Sequence, residues 1–434
     1  MNIAVTRHRL ANGLDVLLHE DHSCPIVAVN VWYHVGSKNE RPGHTGFAHL
    51  FEHLMFEGSA HYDRGYFEPL QGAGASLNGS TNADRTNYWE VVPSNALELA
   101  LWMESDRMGF LLPALTDAKF SNQRSVVLNE RRQNYENRPY GLASMAMLAA
   151  LFPPDHPYHW TTIGEIADLQ AVRLDEVHAF FQQYYHPANA SLALAGDIDP
   201  EAALTLARAY FEPLPAGPRV EPVRASAALD RDVRLSLEDR VELPRLYVSW
   251  LTPAMFAEGD AELDLAADLL ANGKTSRLYR RLVFDGRIAT DVSASQNSRE
   301  IGSFLQLAAT AAPGHALAEL EHAILEEIAR LAVDGPTDEE IERGRAQAES
   351  HFTFRLQTVG GFGGKSDQLN AYNIFVGDPG FFDRDLARYQ NATAASVRQA
   401  VARHLQPDRR VTMSIVPRGR TELAIPGSDA AVVS

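Results

Sequence analysis

The sequence predicts an α+β fold made of two similar domains, each with a mixed or antiparallel sheet flanked by helices. Three observations support this prediction. The chain has 434 residues, whereas a single hydrophobic core stops growing at roughly 250–300 residues. Short alternating segments and longer helical segments follow one another along the chain, which is typical of α+β proteins. A weak repeat also relates the two halves at an offset of 220 residues.

The repeat is clearest where a helix ends in a proline before an alternating strand. Residues 178–187, HAFFQQYYHP, precede ASLALAG, and residues 398–407, RQAVARHLQP, precede RRVTMSIV. Pro187 and Pro407 each end a helix, because proline cannot continue the backbone ladder. The alternation after each proline predicts a half-buried strand.

Each half begins with strands, and helices follow. Asn12-Gly13 between apolar alternations predicts a hairpin, and PIVAVNVWYHV predicts the next strand. In the second half, DVRLSLE and LPRLYVSWLTP take the same places. A helix is predicted over residues 94–111 with Ser94 as its N-cap, and DEEIERGRAQAESHFTFRLQ is its expected counterpart. The closing AIPGSDAAVVS predicts a loose tail.

The domain boundaries follow from the segment between the two halves. Residues 214–231 are rich in proline and alanine and show no periodicity, which is typical of a linker. We therefore expect a first domain over residues 1–215, a linker over 216–231 and a second domain of the same fold over 232–434.

The composition narrows the classes of function. A net charge of -17 argues against nucleic-acid binding, which favours a basic surface. Cys24 is the single cysteine, so any metal must be held by histidine, aspartate or glutamate. No apolar run approaches the roughly 18 residues of a membrane helix. The N-terminus lacks the apolar segment of a signal peptide, so we expect the chain as written to be cytoplasmic, or periplasmic if a signal peptide has been removed.

The segment HLFEHLMFEG, residues 49–58, contains a possible metal site. On a helix, His49 and His53 would lie on one face with Cβ atoms roughly 5–6 Å apart. Glu52 stands beside them in the order His-x-x-Glu-His, an inverted form of a zinc peptidase motif. The chain has 16 histidines, and the motif's neighbours are apolar, so a core helix with incidental histidines fits equally well.

A catalytic zinc site needs three protein ligands, so a third must come from elsewhere. The helical segment 119–140 contains Glu130, although a glutamate at this place also fits a solvated surface. The residues alone favour a solvated surface glutamate at position 130, and they leave both interpretations of the histidine motif open.

Several motifs together resemble the pitrilysin/insulinase family of zinc peptidases, in its half-length bacterial and mitochondrial-processing-peptidase-like branch. HLFEHLMFEGS is similar to the family's inverted zinc motif, and SVVLNERRQ to the segment of its third ligand. The resemblance covers essentially the whole chain, and further motifs that carry it are NGSTNADRTNYWEVVP, HPYHWTTIGEIADL, YYHPANASLALAGDID, GKTSRLYRRL and GGFGGKSDQLNAY.

The resemblance implies a zinc endopeptidase acting on short or unfolded peptides between two domains that face each other like a clamshell. It implies one zinc per chain on His49, His53 and Glu130. Glu130 follows His53 by 77 residues, which is the interval that the family uses. Glu52 would be the general base that activates the attacking water. The family's active-site edge strand would hold the peptide by main-chain hydrogen bonds, and its residues here are Asn78, Gly79, Ser80 and Thr81.

The sequence departs from the family at three places. Gln123 replaces a glutamate that often stands seven residues before the third ligand, and we expect it to orient a water or a ligand without supplying charge. The family's substrate-holding Arg and Tyr align with Val283 and Thr290, which cannot do that work. In the second half, the positions of the zinc motif are occupied by Asp264, Ala267 and Asp268.

These departures lead to the hypothesis that the chain is the zinc-bearing subunit of a heterodimer. Its partner would be a similar chain that lacks the zinc motif and carries the Arg/Tyr pair, with a homodimer as the alternative. Two other functions remain open: a non-catalytic scaffold subunit of the same fold, and a peptidase that removes targeting sequences. GGFGGKS, residues 360–366, lacks the spacing of a phosphate loop, so we interpret it as a turn or hinge loop.

Overall fold

The computed structural model describes residues 3–433 and contains two six-stranded mixed sheets flanked by helices, as the sequence predicts. The strands are β1 (Thr6–Arg9), β2 (Asp15–Glu20), β3 (Ile26–Tyr33), β4 (Ser76–Thr81), β5 (Thr86–Pro93), β6 (Ala190–Gly196), β7 (Val233–Asp239), β8 (Arg245–Thr252), β9 (Ala289–Asn297), β10 (Ser303–Ala311), β11 (Val411–Pro417) and β12 (Asp429–Ala430).

Helices follow the strands in both halves of the chain. They are α1 (Phe47–Leu54), α2 (Phe67–Gly72), α3 (Leu97–Phe110), α4 (Asp117–Arg131), α5 (Ala143–Leu151), α6 (Ile166–Ala171), α7 (Leu174–Tyr184), α8 (Pro200–Phe211), α9 (Asp260–Ala271), α10 (Leu317–Asp334), α11 (Asp338–Arg355), α12 (Lys365–Val376), α13 (Phe382–Gln390) and α14 (Ala394–His404). Within residues 3–433, no helix has the length and apolar character needed to cross a membrane.

The two sheets share the order of five strands and differ in the sixth, because β1 pairs antiparallel with β2 whereas β12 pairs in parallel with β7. The first runs β1-β2-β6-β3-β5-β4 and the second β12-β7-β11-β8-β10-β9. In each, the strand after the proline-ended helix pairs in parallel with an early strand, β2 with β6 and β7 with β11. It also pairs antiparallel with the next strand, β3 or β8. This shared order supports the duplication that the sequence repeat indicates.

The chain forms two compact units that are not contiguous in sequence. The first comprises residues up to Asn129, Thr162–Val223 and His351–Arg384, and the second comprises the remaining segments. Helix α12 packs on β6 and β3 within the first unit, and α5 packs on β11 and β8 within the second. Each sheet is therefore covered by a helix from the opposite half of the sequence. The predicted boundaries concern the repeated halves and stay a prediction.

Strand β3 shows why the hydrophobic pattern predicted the first sheet well. Val29 and Val31 are fully buried on one side, and Asn30 is fully buried beneath α12 on the other. A strand that is covered on both faces is apolar almost throughout rather than alternating. The predicted hairpin is also confirmed, because β1 and β2 pair antiparallel and Gly13 takes the left-handed conformation at φ 91°.

Three local predictions were wrong. Ser94 is not the N-cap of α3, because it belongs to a short 3₁₀ turn and the α-helix begins three residues later, at Leu97. The counterpart of α3 is α10 rather than α11, since each directly follows the second strand of its antiparallel pair. The closing segment is not wholly loose, because β12 pairs in parallel with β7 at the sheet edge.

Candidate metal centre

The His-x-x-Glu-His motif lies on α1, and the apolar side of this helix packs into the first unit. Leu50, Phe51 and Leu54 are fully buried. The Phe51 ring packs against Phe180 and Tyr185, with ring centroids 5.7 and 5.0 Å apart. The 3.6-residue period puts the remaining positions on the opposite face, and these include His49, Glu52 and His53.

The start of α1 is fixed by a glycine and by a distant carboxylate. Gly46 has φ 86°, and a Cβ there would stand 2.8 Å from the carbonyl oxygen of Ile163. Glu40 accepts hydrogen bonds from the N–H groups of Gly46 and Ala48 at 3.0 and 2.9 Å. A carboxylate at a helix N-terminus satisfies free N–H groups and complements the helix dipole. Sequence reasoning missed Glu40, because it lies outside the capping positions next to the helix.

We expect Gly46→Ala to lower the free energy of unfolding by about 2–4 kcal/mol, since a side chain there combines left-handed strain with a steric overlap. Gly43→Ala is the matched control, because Gly43 has φ 84° and nothing within 4 Å of its added Cβ. Its cost should be only about 1–2 kcal/mol. Urea unfolding of both variants checks the difference, and equal losses would contradict the steric argument.

The third predicted ligand reaches the motif from α4. That helix runs unbroken to Arg131, so Glu130 is carried on the same helix as residues 117–129 of the first unit. The ligand atoms of His49, His53 and Glu130 all lie within 4.8 Å of one another. Within residues 3–433 no other three His, Cys, Asp or Glu side chains form such a group.

The donor set fits zinc. Imidazole nitrogen and carboxylate oxygen are zinc ligands at about 2.0–2.2 Å, and a tetrahedral ion separates its ligand atoms by about 3.3 Å. The two imidazole rings are perpendicular, with centroids 4.9 Å apart, so they can present nitrogens to one point from two directions. Three protein ligands would leave one position open, as in catalytic rather than structural zinc sites.

Polar neighbours surround the third ligand. Asn134 donates a hydrogen bond to Glu130 at 3.2 Å. Burial, followed by the charge of Glu130, raises the pKa of Tyr135. Gln123 donates its side-chain amide to Glu57, the residue four positions after His53. This hydrogen bond ties α4 to the end of the motif segment. The role expected for Gln123, orienting a water or a ligand, stays a prediction.

Strand β4, which contains Asn78 to Thr81, is the edge strand of the first sheet and pairs only with β5. Asn78 Oδ1 accepts a hydrogen bond from Gly79 N at 2.8 Å. Gly79 faces the motif helix, since an added Cβ would stand 3.1 Å from the ring of Phe56. The carbonyl of Ser80 accepts a hydrogen bond from Arg85 at 2.7 Å. The side chains of Asn78 and Arg85 thus satisfy one N–H and one C=O of the edge strand.

A buried charged cluster lies below the motif helix. Arg107, 1% exposed, donates hydrogen bonds to Glu104, and its guanidinium lies 4.0 and 4.2 Å from the ring centroids of Tyr66 and Tyr88. Tyr88 in turn donates a hydrogen bond to the carbonyl of Phe51 in α1 at 3.2 Å. The cluster therefore supports α1 from inside the first unit.

The corresponding helix of the second unit has no such metal group. Asp264 and Asp268 lie on α9, where Asp264 accepts a hydrogen bond from Tyr389 and Asp268 one from Asn272, both at 2.9 Å. Val283 packs partly buried against the second core, and the Thr290 hydroxyl bonds Asp291. These side chains serve the structure of the second unit.

Two family models match successive segments of the chain. Residues 15–155 match "Insulinase (Peptidase family M16)", and residues 171–348 match "Peptidase M16 inactive domain". Zinc protease PqqE of Helicobacter pylori is 28% identical over 359 residues, with 80% of this chain and 79% of that protein covered. An uncharacterized zinc protease of Mycobacterium tuberculosis is 25% identical over 421 residues, with 96% and 94% covered.

Solved structures share the fold. A protease from Helicobacter pylori has a TM-score of 0.89 and 24% identity, with 96% of this chain and all of that chain covered. The periplasmic protease PqqL from Escherichia coli has a TM-score of 0.78 and 18% identity. The match covers 98% of this chain and 49% of the PqqL chain. Residues 15–155 and 171–348 match domains of one family and the relatives are named as zinc proteases, so this chain belongs to the pitrilysin/insulinase family, peptidase family M16.

Proposed function

We propose that the chain is a zinc endopeptidase that hydrolyses short or unfolded peptides, and that it is the metal-bearing subunit of a two-chain enzyme. The observation that carries the proposal is the convergence of His49, His53 and Glu130 within 4.8 Å beside an open sheet edge. A scaffold protein has no need for three metal-binding side chains together with a carboxylate, Glu52, that could act as a general base.

In this proposal each polar residue of the motif has one task. His49, His53 and Glu130 hold one zinc ion per chain. When bound, zinc polarises a scissile carbonyl and makes water a better nucleophile near neutral pH. Glu52 lies one residue before His53 on the same helix, and its carboxylate takes the proton from the attacking water and passes it to the leaving amine.

The substrate would bind as an added strand along β4. The outward N–H and C=O groups of an edge strand bind any peptide main chain, so affinity requires little of the peptide's sequence. Gly79 leaves room on the side of the motif helix, where a larger residue would meet Phe56. An incoming carbonyl would replace Asn78 Oδ1 as the acceptor for Gly79 N.

A second chain would supply what this one lacks. Val283 and Thr290 cannot hold a substrate carbonyl as an Arg/Tyr pair does, and both already pack or bond within the second unit. This chain spans 49% of PqqL, which is consistent with an enzyme of two such lengths. The proposed partner is a similar chain without the zinc motif and with the Arg/Tyr pair, and a homodimer is the alternative.

Zinc content and peptide hydrolysis together test the proposal. We expect about one zinc per wild-type chain after dialysis, and much less in His53→Ala because two ligands cannot replace three. His322→Ala is the control, since His322 is an exposed histidine on α10 and should leave the zinc content unchanged. Activity on a quenched fluorescent peptide should appear when the partner is added.

Other outcomes would separate the alternatives. Full activity of the single chain would contradict the two-chain proposal and favour a homodimer or a complete single-chain site. Absence of both zinc and activity, with or without a partner, would favour the scaffold function. Cleavage restricted to targeting sequences would favour the processing peptidase.

A further inference from the structure

The loop of residues 357–364, which precedes α12, lies on the first sheet over β3 and β5, and β5 pairs with the edge strand β4. Gly360 approaches the sheet so closely that an added Cβ would stand 2.5 Å from Val91 Cγ2 and 2.7 Å from Ala28 Cβ. Gly361 and Gly363 both have left-handed φ values, 82° and 76°. We call residues 357–364 the glycine loop.

The glycine loop is held in one conformation by hydrogen bonds. Lys365 N donates to Thr358 O at 2.9 Å, which closes the loop at its base. Asp367 Oδ2 accepts from Gly363 N at 2.8 Å, and its Oδ1 accepts from Asn87 Nδ2 at 3.0 Å. Asn87 Oδ1 in turn accepts from the hydroxyl of Ser80 at 2.7 Å. A continuous chain of hydrogen bonds thus joins the loop to the edge strand.

At its tip the glycine loop exposes an aromatic side chain. Phe362 is 52% exposed, and its ring stands edge-on to Trp89, with ring centroids 5.4 Å apart. Phe284 and Phe354 are more exposed than Phe362, so exposure by itself does not mark a site. What distinguishes Phe362 is its place beside Trp89, on the strand that pairs with the edge strand.

The register of the sheet shows which part of a ligand Phe362 would meet. Trp89 pairs with Asn78, and cross-strand partners share a face of the sheet. Gly79 points to the opposite face, toward the motif helix. A peptide added beside β4 would alternate its side chains between these two faces. The side chain that lies beside Asn78 on the face of Trp89 would come nearest to Phe362.

We propose that Phe362 is a specificity-determining residue, which contacts one apolar or aromatic side chain of a peptide bound beside Asn78. This inference rests on the proposed function, since it assumes that the edge strand binds peptides. Trp89 and Phe362 together offer an apolar edge-and-face surface, which favours aliphatic and aromatic groups over polar ones. Asp367 is a positioning residue in this scheme, because it fixes the loop and does not touch the peptide.

The test measures peptide binding rather than turnover. Zinc-loaded Glu52→Gln protein, with its partner present if one is required, is titrated with labelled peptides in which each position in turn is leucine, serine or lysine. We expect one position where leucine binds more tightly than serine. Adding Phe362→Ala should weaken binding of that leucine peptide about tenfold and leave the serine peptide within about twofold.

Two further variants serve as controls. Phe362→Leu should retain most of the preference, and Val333→Ala, which truncates a 71% exposed residue on α10, should retain all of it. The proposal is overturned if Phe362→Ala weakens all peptides equally, if the favoured residue is lysine, or if no peptide binds. If the wild-type protein cleaves peptides and Phe362→Ala does not change the peptide preference, this inference is wrong and the proposed function is unaffected.

Discussion

The variant Glu52→Gln is expected to bind zinc and peptide as the wild type does and to lose about 10²–10⁴-fold in kcat. Glutamine has the size and shape of glutamate, so α1 should fold unchanged around it. The amide cannot take a proton from water at neutral pH, so the base of the proposed reaction is lost. The measurement is hydrolysis of a quenched fluorescent peptide, with zinc content determined on the same preparation.

The matched control for this variant is Glu68→Gln. Glu68 is an exposed residue in the first turn of α2, so the substitution removes one negative charge from the same unit without touching the motif. Its activity should stay within about twofold of the wild type, because surface substitutions rarely have large effects. A Glu52→Gln enzyme that keeps its rate would remove Glu52 from the role of base. If Glu52→Gln lost its zinc, its low rate would not distinguish loss of the base from loss of the metal. Glu52→Asp, which keeps a carboxylate, would then be measured alongside it.

Much of the motif could be predicted from the sequence because its determinants are local. Two histidines four residues apart share a helix face whatever the tertiary structure, and the apolar period of α1 indicates which side is buried. Pairing the motif with Glu130 required the resemblance, since the interval of 77 residues has no periodic signal. In the structure the ligand atoms of the three side chains lie within 4.8 Å of one another.

The missed features depend on contacts between residues distant in sequence. Asp367 accepts hydrogen bonds from Trp32 and Asn87, more than 270 positions away, and no local pattern marks such a partner. Glu40 caps α1 from outside the helix's own capping positions. The sequence also does not reveal that α5 and α12 each cover the sheet of the opposite half of the chain. The pattern of an amphipathic helix does not specify which sheet it covers.

Arg107→Met is expected to lower the free energy of unfolding by about 3–5 kcal/mol, the second large effect. The substitution removes the hydrogen bonds that Arg107 donates to the fully buried carboxylate of Glu104, which keeps one from the hydroxyl of Tyr66 at 3.1 Å. Arg208→Met, on the exposed side of α8, is the control and should change stability by less than about 0.5 kcal/mol. Urea unfolding of the two variants provides the comparison.

A double variant separates the loss of the ion pair from the loss of packing. Glu104→Leu combined with Arg107→Met removes both charges, and it should recover part of the loss because replacing a whole buried pair by apolar groups is often tolerated. No recovery would mean that the aromatic contacts of Arg107 with Tyr66 and Tyr88, rather than its charge pairing, account for the destabilisation.

The same cluster predicts a pH dependence through Glu90. Burial, and then the charge of Glu104, raise the pKa of Glu90 well above its usual 4.5, against the opposing effect of Arg107. The folded chain therefore keeps this proton while the unfolded chain releases it above about pH 4.5, so the wild type loses stability as pH rises from there toward the folded pKa. Glu90→Gln carries no such proton. It should gain stability relative to the wild type between pH 5 and pH 7, and parallel profiles would show that Glu90 is ionised in the folded chain.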